Sequence, residues 1–274
     1  MTPIASRSNP TVARFRAARD GKDGRSIFVE GRRLLEELLD STLTPREAAV
    51  IPQSEKDPKT APLIQALRDR GATVHAVTSS VMEFISDVET PPGIAVRADR
   101  PHGFDLATVA GLGTPPPLIL LLDALQSPAN VGAILRSAEA AGVTAVGVLP
   151  GTADPLSPKA LRASAGSAFR IPIFRTDSIQ TILNAFPTSP ALLAADAGGS
   201  HSYFQWNWTA PCVLLLGGEA RGVNFPSLGA LPVQRIKIPM AGRVESLNVA
   251  VAAGILLMEA RRQRTVLHTG SAFA

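Results

Sequence analysis

The second half of the chain contains six short runs of apolar residues, most of them followed by a helical pattern. Such runs are too short to cross a membrane and are typical of strands that are buried on both faces. Strands that alternate with helices place the chain in the α/β class and predict a mostly parallel sheet. The predicted strands are PLILLLD (117–123), VTAVGVLP (143–150), FRIPIF (169–174), ALLAAD (191–196), CVLLLG (212–217) and VQRIKIP (233–239). The predicted helices span 130–141, 158–167, 178–186 and 246–264.

The first hundred residues are richer in charge and predict a smaller α/β unit. FVEGRRLLEELLD (28–40) predicts one helix, because its leucines form a stripe at helical spacing. Strands are predicted at 48–51, 72–78 and 93–96, and a further helix at 62–71. The Gly- and Pro-rich stretch 109–117 has the composition of a linker. We therefore predict an N-terminal domain at 1–104, a linker at 105–117 and a second domain at 118–274.

Composition excludes several classes of protein. A single cysteine, Cys212, excludes an intramolecular disulfide framework and a cysteine-built zinc site, and we expect no metal site. The chain lacks an apolar run of membrane-spanning length and an N-terminal signal core, so we expect a soluble, cytoplasmic protein without a membrane partner. The net charge is +4, and residues 1–33 alone hold eight cations against three anions. This cluster fits attraction to nucleic acid and fits equally a solvated helix face.

Three loops that follow predicted strands are rich in Gly, Asn and Ser, as a ligand site at the carboxyl ends of parallel strands requires. They span 121–142, 214–223 and 238–254. Each has a structural explanation when taken alone. Asn130 and Ser246 are expected to cap the helices that follow them, with Asn248 helping at the start of the second helix, and Arg136 with Glu139 forms an i,i+3 pair. The glycine spacing does not match G-x-G-x-x-G, which argues against a nicotinamide-dependent Rossmann enzyme.

Taken together, the three loops resemble the signature motifs of the SpoU/TrmH-like RNA ribose methyltransferases of the SPOUT superfamily, over about 118–264. The matching positions are Asn130, Gly132, Arg136, Glu139 and Gly142 in the first motif, Gly217, Glu219 and Gly222 in the second, and Ile238, Pro239, Met240, Gly242, Ser246, Leu247 and Asn248 in the third. The N-terminal part resembles the substrate-binding domain of that family, a ribosomal-protein-like α/β module. That likeness rests on Asn9-Pro10, Phe28-Val29-Glu30-Gly31 and Pro92-Gly93-Ile94-Ala95.

The resemblance implies a C-terminal parallel sheet with a deep trefoil knot, S-adenosylmethionine as cofactor and a homodimer. The implied reaction is methyl transfer to a ribose 2′-hydroxyl of RNA, with ribosomal RNA as the first candidate and transfer RNA as the second. The implied cofactor-binding residues are Leu216, Gly217, Gly218, Glu219, Gly222, Ile238, Met240, Ser246, Leu247 and Asn248. The implied catalytic residues are Arg136, Ser246 and Asn248, with Asn130 and Glu139 orienting them.

Arg136 raises a question of mechanism, because proposals for the family make this arginine the general base. A guanidinium stays protonated in proteins, so we expect Arg136 instead to stabilise the developing alkoxide or to clamp a neighbouring phosphate. The alternative function is a non-catalytic RNA-binding or ribosome-assembly factor on the same fold. Intact Arg136, Ser246 and Asn248 argue against it, because a decayed enzyme is expected to lose such residues.

Overall fold

The computed structural model describes residues 2–101, 103–104, 116–218 and 221–269. The chain divides into two compact units. The first consists of residues 1–102 and 154–170, and the second of residues 103–153 and 171–274. No helix in the described ranges is long and apolar enough to cross a membrane.

The first unit is built on a four-stranded sheet. Its strands are β1 (Ser26–Glu30), β2 (Pro45–Val50), β3 (Thr73–Ala76) and β4 (Ile94–Asp99), in the order β1-β4-β2-β3. β4 is antiparallel to β1 and β2, whereas β2 and β3 are parallel. The helices are α1 (Pro10–Arg19), α2 (Arg32–Leu39), α3 (Pro52–Lys56), α4 (Ala61–Asp69) and α5 (Ser79–Ile85). Phe15, Phe28 and Met82, from α1, β1 and α5, belong to one core cluster of this unit.

The strand β1 shows that the prediction of one helix over 28–40 was wrong. All five residues of β1 are buried, and they pair with β4. Gly31 follows with a φ of +91°, a conformation that glycine adopts readily, and α2 begins only at Arg32. Pairing within the sheet therefore overrides the helical pattern at the start of the segment.

The cation-rich segment 1–33 is part of this unit, because it supplies both α1 and β1. The Nε of Arg14 donates to Oε2 of the buried Glu47 across 3.0 Å. Arg19 donates to the backbone oxygen of Phe84 across 3.1 Å. Several cations of the segment therefore stabilise the fold, and its charge is only partly available to a binding partner.

The second unit contains a seven-stranded parallel sheet. Its strands are β5 (Leu118–Asp123), β6 (Ala145–Val148), β7 (Ile173–Arg175), β8 (Ala191–Ala195), β9 (His201–Ser202), β10 (Cys212–Gly217) and β11 (Val233–Lys237). Their order is β7-β6-β5-β10-β8-β11-β9. Five of the six predicted strands and the parallel sheet are confirmed, and the two-residue β9 is added at one edge. The strand predicted at 169–174 forms only from Ile173, because Phe169 and Arg170 end a short helix. The trefoil knot stays a prediction.

The helices of the second half begin and end close to the predicted positions. They are α6 (Pro128–Ala141), α7 (Pro158–Ser164), α8 (Ser167–Arg170), α9 (Ile179–Asn184) and α10 (Val249–Thr269). A 3₁₀ turn spans Phe225–Leu228. α7 and α8 replace the single helix predicted at 158–167, because Ala165 and Gly166 between them have φ values of +49° and +91°.

Residues 154–170 group with the first unit, although we placed them in the second domain. α7 contacts β1. Ion pairs join Arg100 to Asp154 at 2.5 Å and Arg162 to Asp87 at 2.7 Å. These contacts are between residues far apart in sequence, and the pattern of apolar runs that we used to place the domain boundary does not reveal them.

The C-terminal helix α10 packs on α6. Hydrogen bonds also join it to residues 208–210, the segment that precedes β10. Arg264 is buried and donates to the backbone oxygens of Trp208 and Ala210, at 2.7 and 2.9 Å. The backbone N–H of Trp208 donates to Oε1 of Gln263 across 3.0 Å. These bonds fix α10 relative to the sheet, and its first turn lies at the carboxyl ends of the strands.

Candidate functional site

A cavity of about 560 Å³ lies in the second unit, where β8, β10 and β11 end. Its size is that of a typical small-molecule site, and the edge is the one at which open parallel sheets bind ligands. The walls combine apolar side chains with glycine backbone and a few polar groups. They are formed by Ala195, Asp196, Ala197, Leu216, Gly217, Gly218, Gly222, Ile236, Ile238, Met240, Glu245, Ser246, Leu247, Asn248, Val249, Ala252 and Leu256.

One wall is a tight loop that follows β10 and folds back on itself. The N–H of Gly222 donates to the backbone oxygen of Gly218 across 2.8 Å, and Gly222 has a φ of +63°. A Cβ on Gly217 would lie 2.1 Å from the carbonyl carbon of Gly222 and 2.2 Å from the nitrogen of Val223. Such separations are impossible for non-bonded atoms. The second predicted motif therefore requires glycine at position 217 so that the two arms of the loop can touch.

The opposite wall ends in Asn248, which caps α10. Its Oδ1 accepts hydrogen bonds from the N–H groups of Ala250 and Val251, at 2.9 and 3.4 Å. Its Nδ2 donates to Oδ1 of Asn130, on α6, across 3.2 Å. An asparagine amide has two N–H groups, so one remains for a ligand in the described part of the site. This side chain connects the first and third predicted motifs.

Both predicted helix caps were wrong. Ser127 caps α6, because its Oγ accepts from the N–H of Asn130 at 3.3 Å and Pro128 occupies the first helical position. At α10 the cap is Asn248 rather than Ser246. Ser246 is exposed and lines the cavity, where its hydroxyl can meet a ligand.

The cavity brings together nine of the ten residues predicted to bind the cofactor. They are Leu216, Gly217, Gly218, Gly222, Ile238, Met240, Ser246, Leu247 and Asn248. Glu219 lies outside the described residues. Asn130, Arg136 and Glu139 lie on α6 and are not part of the cavity wall as the described residues form it. Arg136 is exposed, and Asn130 is joined to the wall through Asn248.

The sequence interpretation missed the part of the wall that follows β8. Asp196 stands directly after this strand, and its Oδ2 accepts from Nε of Arg235 across 2.6 Å. The run ALLAAD ends on this carboxylate, and a polar residue at the carboxyl end of a buried strand was the signal that could have found it. The other missed residues are Ala195, Ala197, Ile236, Glu245, Val249, Ala252 and Leu256.

A second cavity, of about 670 Å³, lies beyond the ends of β5 and β6 in the same unit. Asp123 and Asp177 line it together with Asn224. Burial raises the pKa of Asp123, and a hydrogen bond from the backbone of Asn224 opposes this shift. None of its lining residues belongs to the predicted site, so the first cavity is the candidate functional site.

Two family models match the chain. The model of the SpoU rRNA Methylase family matches residues 117–258. The model of the MRM3-like substrate binding domain matches residues 11–96. The first match contains every described residue of the cavity. The second contains β1, β2, β3 and the first three residues of β4.

The chain is also similar to curated proteins and solved structures over most of its length. It is 31% identical to an uncharacterized tRNA/rRNA methyltransferase of Synechocystis, covering 97% of this chain and 96% of that protein. It is 30% identical to the 23S rRNA (guanosine-2′-O-)-methyltransferase RlmB of Escherichia coli, covering 88% and 100%. The AdoMet-bound rRNA methyltransferase of Sinorhizobium meliloti superimposes with a TM-score of 0.81 at 28% identity, covering 95% and 97%. AviRb of Streptomyces viridochromogenes, in complex with AdoMet, gives 0.80 at 27% identity, covering 94% and 98%.

Proposed function

Because this chain belongs to the SpoU rRNA methylase family, we propose that it methylates a ribose 2′-hydroxyl of ribosomal RNA, with transfer RNA as the second candidate. The family makes it an RNA methyltransferase, and S-adenosylmethionine is its cofactor. The observation that carries the proposal is the cavity. The second and third predicted motifs form its walls, and the first motif is joined to it through the bond between Asn130 and Asn248. We also propose a cytoplasmic location, with which an RNA substrate of this kind is compatible.

The cavity suits the adenosine part of the cofactor. Backbone groups near Gly217, Ile238 and Leu247 would read the adenine edge, while apolar side chains cover its face. Glycine at 217 and 218 lets this wall pack closely, because a Cβ at either position would lie 2.6 Å or less from backbone atoms of the chain. When bound, S-adenosylmethionine supplies an electrophilic methyl group on a positively charged sulfur.

The chain's own polar groups would prepare the ribose hydroxyl for attack. The exposed hydroxyl of Ser246 and the remaining N–H of Asn248 would hold the 2′-oxygen at the cavity, and Asn130 would hold the Asn248 amide in place. The hydroxyl must lose its proton as the new bond forms. Arg136 would stabilise the negative charge that develops on the oxygen or bind an adjacent phosphate. Glu139, on the same helix, would orient Arg136.

Binding of RNA would use both units. The first unit corresponds to the substrate-binding match at 11–96. In the second unit, Arg221 and Arg243 are exposed in the two loops that form the cavity walls. Arginine suits phosphate contacts, because its planar fork donates to two oxygens at once. These two side chains would hold the RNA backbone beside the reacting ribose.

We propose that the enzyme forms a homodimer and that α10 lies at its interface. Val251 and Met258 are apolar, stand seven residues apart and are each 51% exposed. This spacing places them on one face of the helix. A partner copy that covers this face would remove both side chains from water.

Methyl transfer from labelled S-adenosylmethionine to ribosomal RNA from cells that lack this protein tests the proposal. We expect label at a single ribose, at a position where alkaline hydrolysis of the RNA is blocked, because a 2′-O-methyl group removes the internal nucleophile. The Ser246→Ala variant is expected to bind the cofactor and to transfer methyl groups at least about tenfold more slowly. A protein that binds RNA without any methyl transfer would instead support the assembly-factor alternative.

A further inference from the structure

Asp196 is a carboxylate at the cavity that the three motifs do not include. Its backbone N–H donates to the oxygen of Ile236, on β11, across 2.9 Å. On the other side β8 pairs with β10, with Ala194 opposite Leu215, two residues before Gly217. Asp196 is therefore held between the strands that lead to Gly217 and to Ile238, the positions proposed to contact adenine.

The orientation of this carboxylate is fixed from outside the cavity by Arg235. Nε of Arg235 donates to Oδ2 of Asp196 across 2.6 Å, and a second guanidinium nitrogen contacts the same oxygen. The guanidinium also lies 4.7 Å from the centroid of the Phe225 ring, a cation–π distance. Both polar contacts use Oδ2. Among the described residues, no hydrogen bond reaches Oδ1, so this oxygen can accept from a ligand.

A fixed carboxylate oxygen in such a position binds hydroxyl or ammonium donors. In the dinucleotide-binding Rossmann fold, which is also an open α/β sheet, an acidic residue binds a ribose hydroxyl close to a glycine-rich loop. Asp196 stands in the corresponding relation to the Gly217 loop on β10. We propose that Asp196, positioned by Arg235, accepts a hydrogen bond from a ribose hydroxyl of the cofactor's adenosine and thereby determines specificity for a ribonucleoside. This inference rests on the proposed placement of the cofactor in the cavity.

Calorimetric binding of S-adenosylhomocysteine and of its 2′-deoxy and 3′-deoxy analogues tests the proposal without any methyl transfer. We expect the wild-type protein to bind at least one deoxy analogue about tenfold or more weakly, because the analogue lacks the hydroxyl that would donate to the charged Oδ1 of Asp196. We expect Asp196→Ala to bind S-adenosylhomocysteine about ten- to a hundredfold more weakly. This variant should no longer distinguish the natural ligand from that analogue.

Asp177→Ala is the matched control, because it removes the same charge from the second cavity of the same unit. It should retain the wild-type discrimination. Asp196→Asn preserves the side-chain shape and is used if Asp196→Ala fails to fold, as judged by thermal melting. It should weaken discrimination, because an amide is a poorer acceptor than a carboxylate.

Three outcomes would overturn the inference. Equal affinity of the wild-type protein for all three ligands would mean that no hydroxyl is read. A loss on Asp196→Ala that affects S-adenosylhomocysteine but spares 5′-methylthioadenosine would assign the carboxylate to the ligand's ammonium group. Failure of the folded wild-type protein to bind any of these ligands would overturn the placement of the cofactor together with the inference.

Discussion

Nδ2 of Asn248 donates to Oδ1 of Asn130 across 3.2 Å and so joins the start of α10 to the first turn of α6. The same Asn248 side chain caps α10 through its Oδ1. The oxygen of this amide group thus caps the helix, and its nitrogen forms the hydrogen bond that connects the third motif to the first. Because the two bonds use different atoms, substitutions can separate them.

Asn248→Asp should preserve the helix cap and remove the donor to Asn130. A carboxylate accepts from helix N–H groups as well as an amide does, so we expect unfolding free energy within about 0.5 kcal/mol of wild type. Methyl transfer should fall at least about tenfold, because the group proposed to hold the ribose hydroxyl has lost its N–H. Asn248→Ala should lose activity and also about 1 kcal/mol of stability. Urea titration and single-turnover kinetics measure the two effects.

Asn207→Ala is the control for these variants, because Asn207 also accepts from a backbone N–H, that of Thr209 at 3.0 Å. It lies outside the cavity wall formed by the described residues and should leave methyl transfer unchanged. Full activity of Asn248→Asp would show that the N–H plays no part in the reaction.

Gly217→Ala should destroy the loop that forms one cavity wall. The added methyl group would lie 2.1 to 2.2 Å from backbone atoms of Gly222 and Val223, which cannot move without opening the loop. We expect a loss of about 1–3 kcal/mol in stability and no measurable cofactor binding by calorimetry.

Gly254→Ala is the matched control for Gly217→Ala. A Cβ at Gly254, within α10, would meet its nearest atom, Oγ of Ser137, at an ordinary 3.7 Å. We expect about 0.5–1 kcal/mol of added stability from the better helix propensity and unchanged cofactor affinity. Wild-type affinity in Gly217→Ala would place the cofactor elsewhere.

Glu47 should make the first unit sensitive to acid. Hydrogen bonds from Arg14 and Arg97 lower the pKa of Glu47 to about 2, although its burial opposes the shift. Because this pKa lies below that of glutamate in the unfolded chain, the ionised side chain stabilises the fold, and the stabilisation is fully present above about pH 4.5. This contribution, up to about 3 kcal/mol, should be lost as the pH falls from about 4.5 towards 2.

Urea titrations at each pH measure this contribution, with pulsed hydrogen exchange at the amides of β2 and β4 as the probe of unfolding. Glu47→Gln should lower stability at pH 6 and flatten the dependence between pH 4.5 and 2. Glu55→Gln is the control, because the Glu55–Arg68 pair is nearly half exposed and should contribute less than about 1 kcal/mol. An unchanged pH dependence in Glu47→Gln would assign acid sensitivity to other carboxylates.

Met258→Glu should convert the proposed dimer into monomers. A carboxylate on the exposed apolar face of α10 would lose its hydration when a partner covers that face. We expect the sedimentation coefficient to fall to the monomer value at micromolar protein concentration. Phe204→Glu is the control, because Phe204 is 53% exposed but does not lie on α10. A dimer that persists in Met258→Glu would exclude this face as the interface.

The strands of the second unit were predictable because each is a continuous apolar run bounded by polar or turn residues. β1 was missed because the amphipathic pattern of α2 extends back over it, and only its pairing with β4 separates the two. The caps were misplaced because Ser and Asn are both good caps, so local sequence could not choose between Ser246 and Asn248. The bond from Asn248 to Asn130 spans 118 positions of the chain, and no local pattern contains it.

The candidate site was predictable as far as the motifs extend. Glycines, Ser246 and Asn248 belong to patterns with a fixed spacing, and the structure places them around one cavity. Asp196 belongs to no such pattern. Its position at the cavity depends on β8 lying between β10 and β11, which is a property of the sheet order rather than of the sequence near it.

Arg136→Lys distinguishes the two roles proposed for this residue. If Arg136 stabilises developing negative charge or holds a phosphate, lysine keeps the charge but loses the two-pronged geometry. We then expect methyl transfer to fall about ten- to a hundredfold, with a pH–rate profile of unchanged shape. Single-turnover kinetics across pH 6–10 measure both quantities.

A general-base role would give a different profile, because lysine loses its proton far more readily than arginine does. Arg136→Lys would then retain a near-wild-type rate, and its rate would rise with pH through a lower apparent pKa. Arg261→Lys, at an exposed position of α10, is the matched control and should leave the profile unchanged. Rates that fall equally at every pH in Arg136→Lys alone would support the electrostatic role, since only a group that gains or loses a proton in the reaction can alter the shape of the profile.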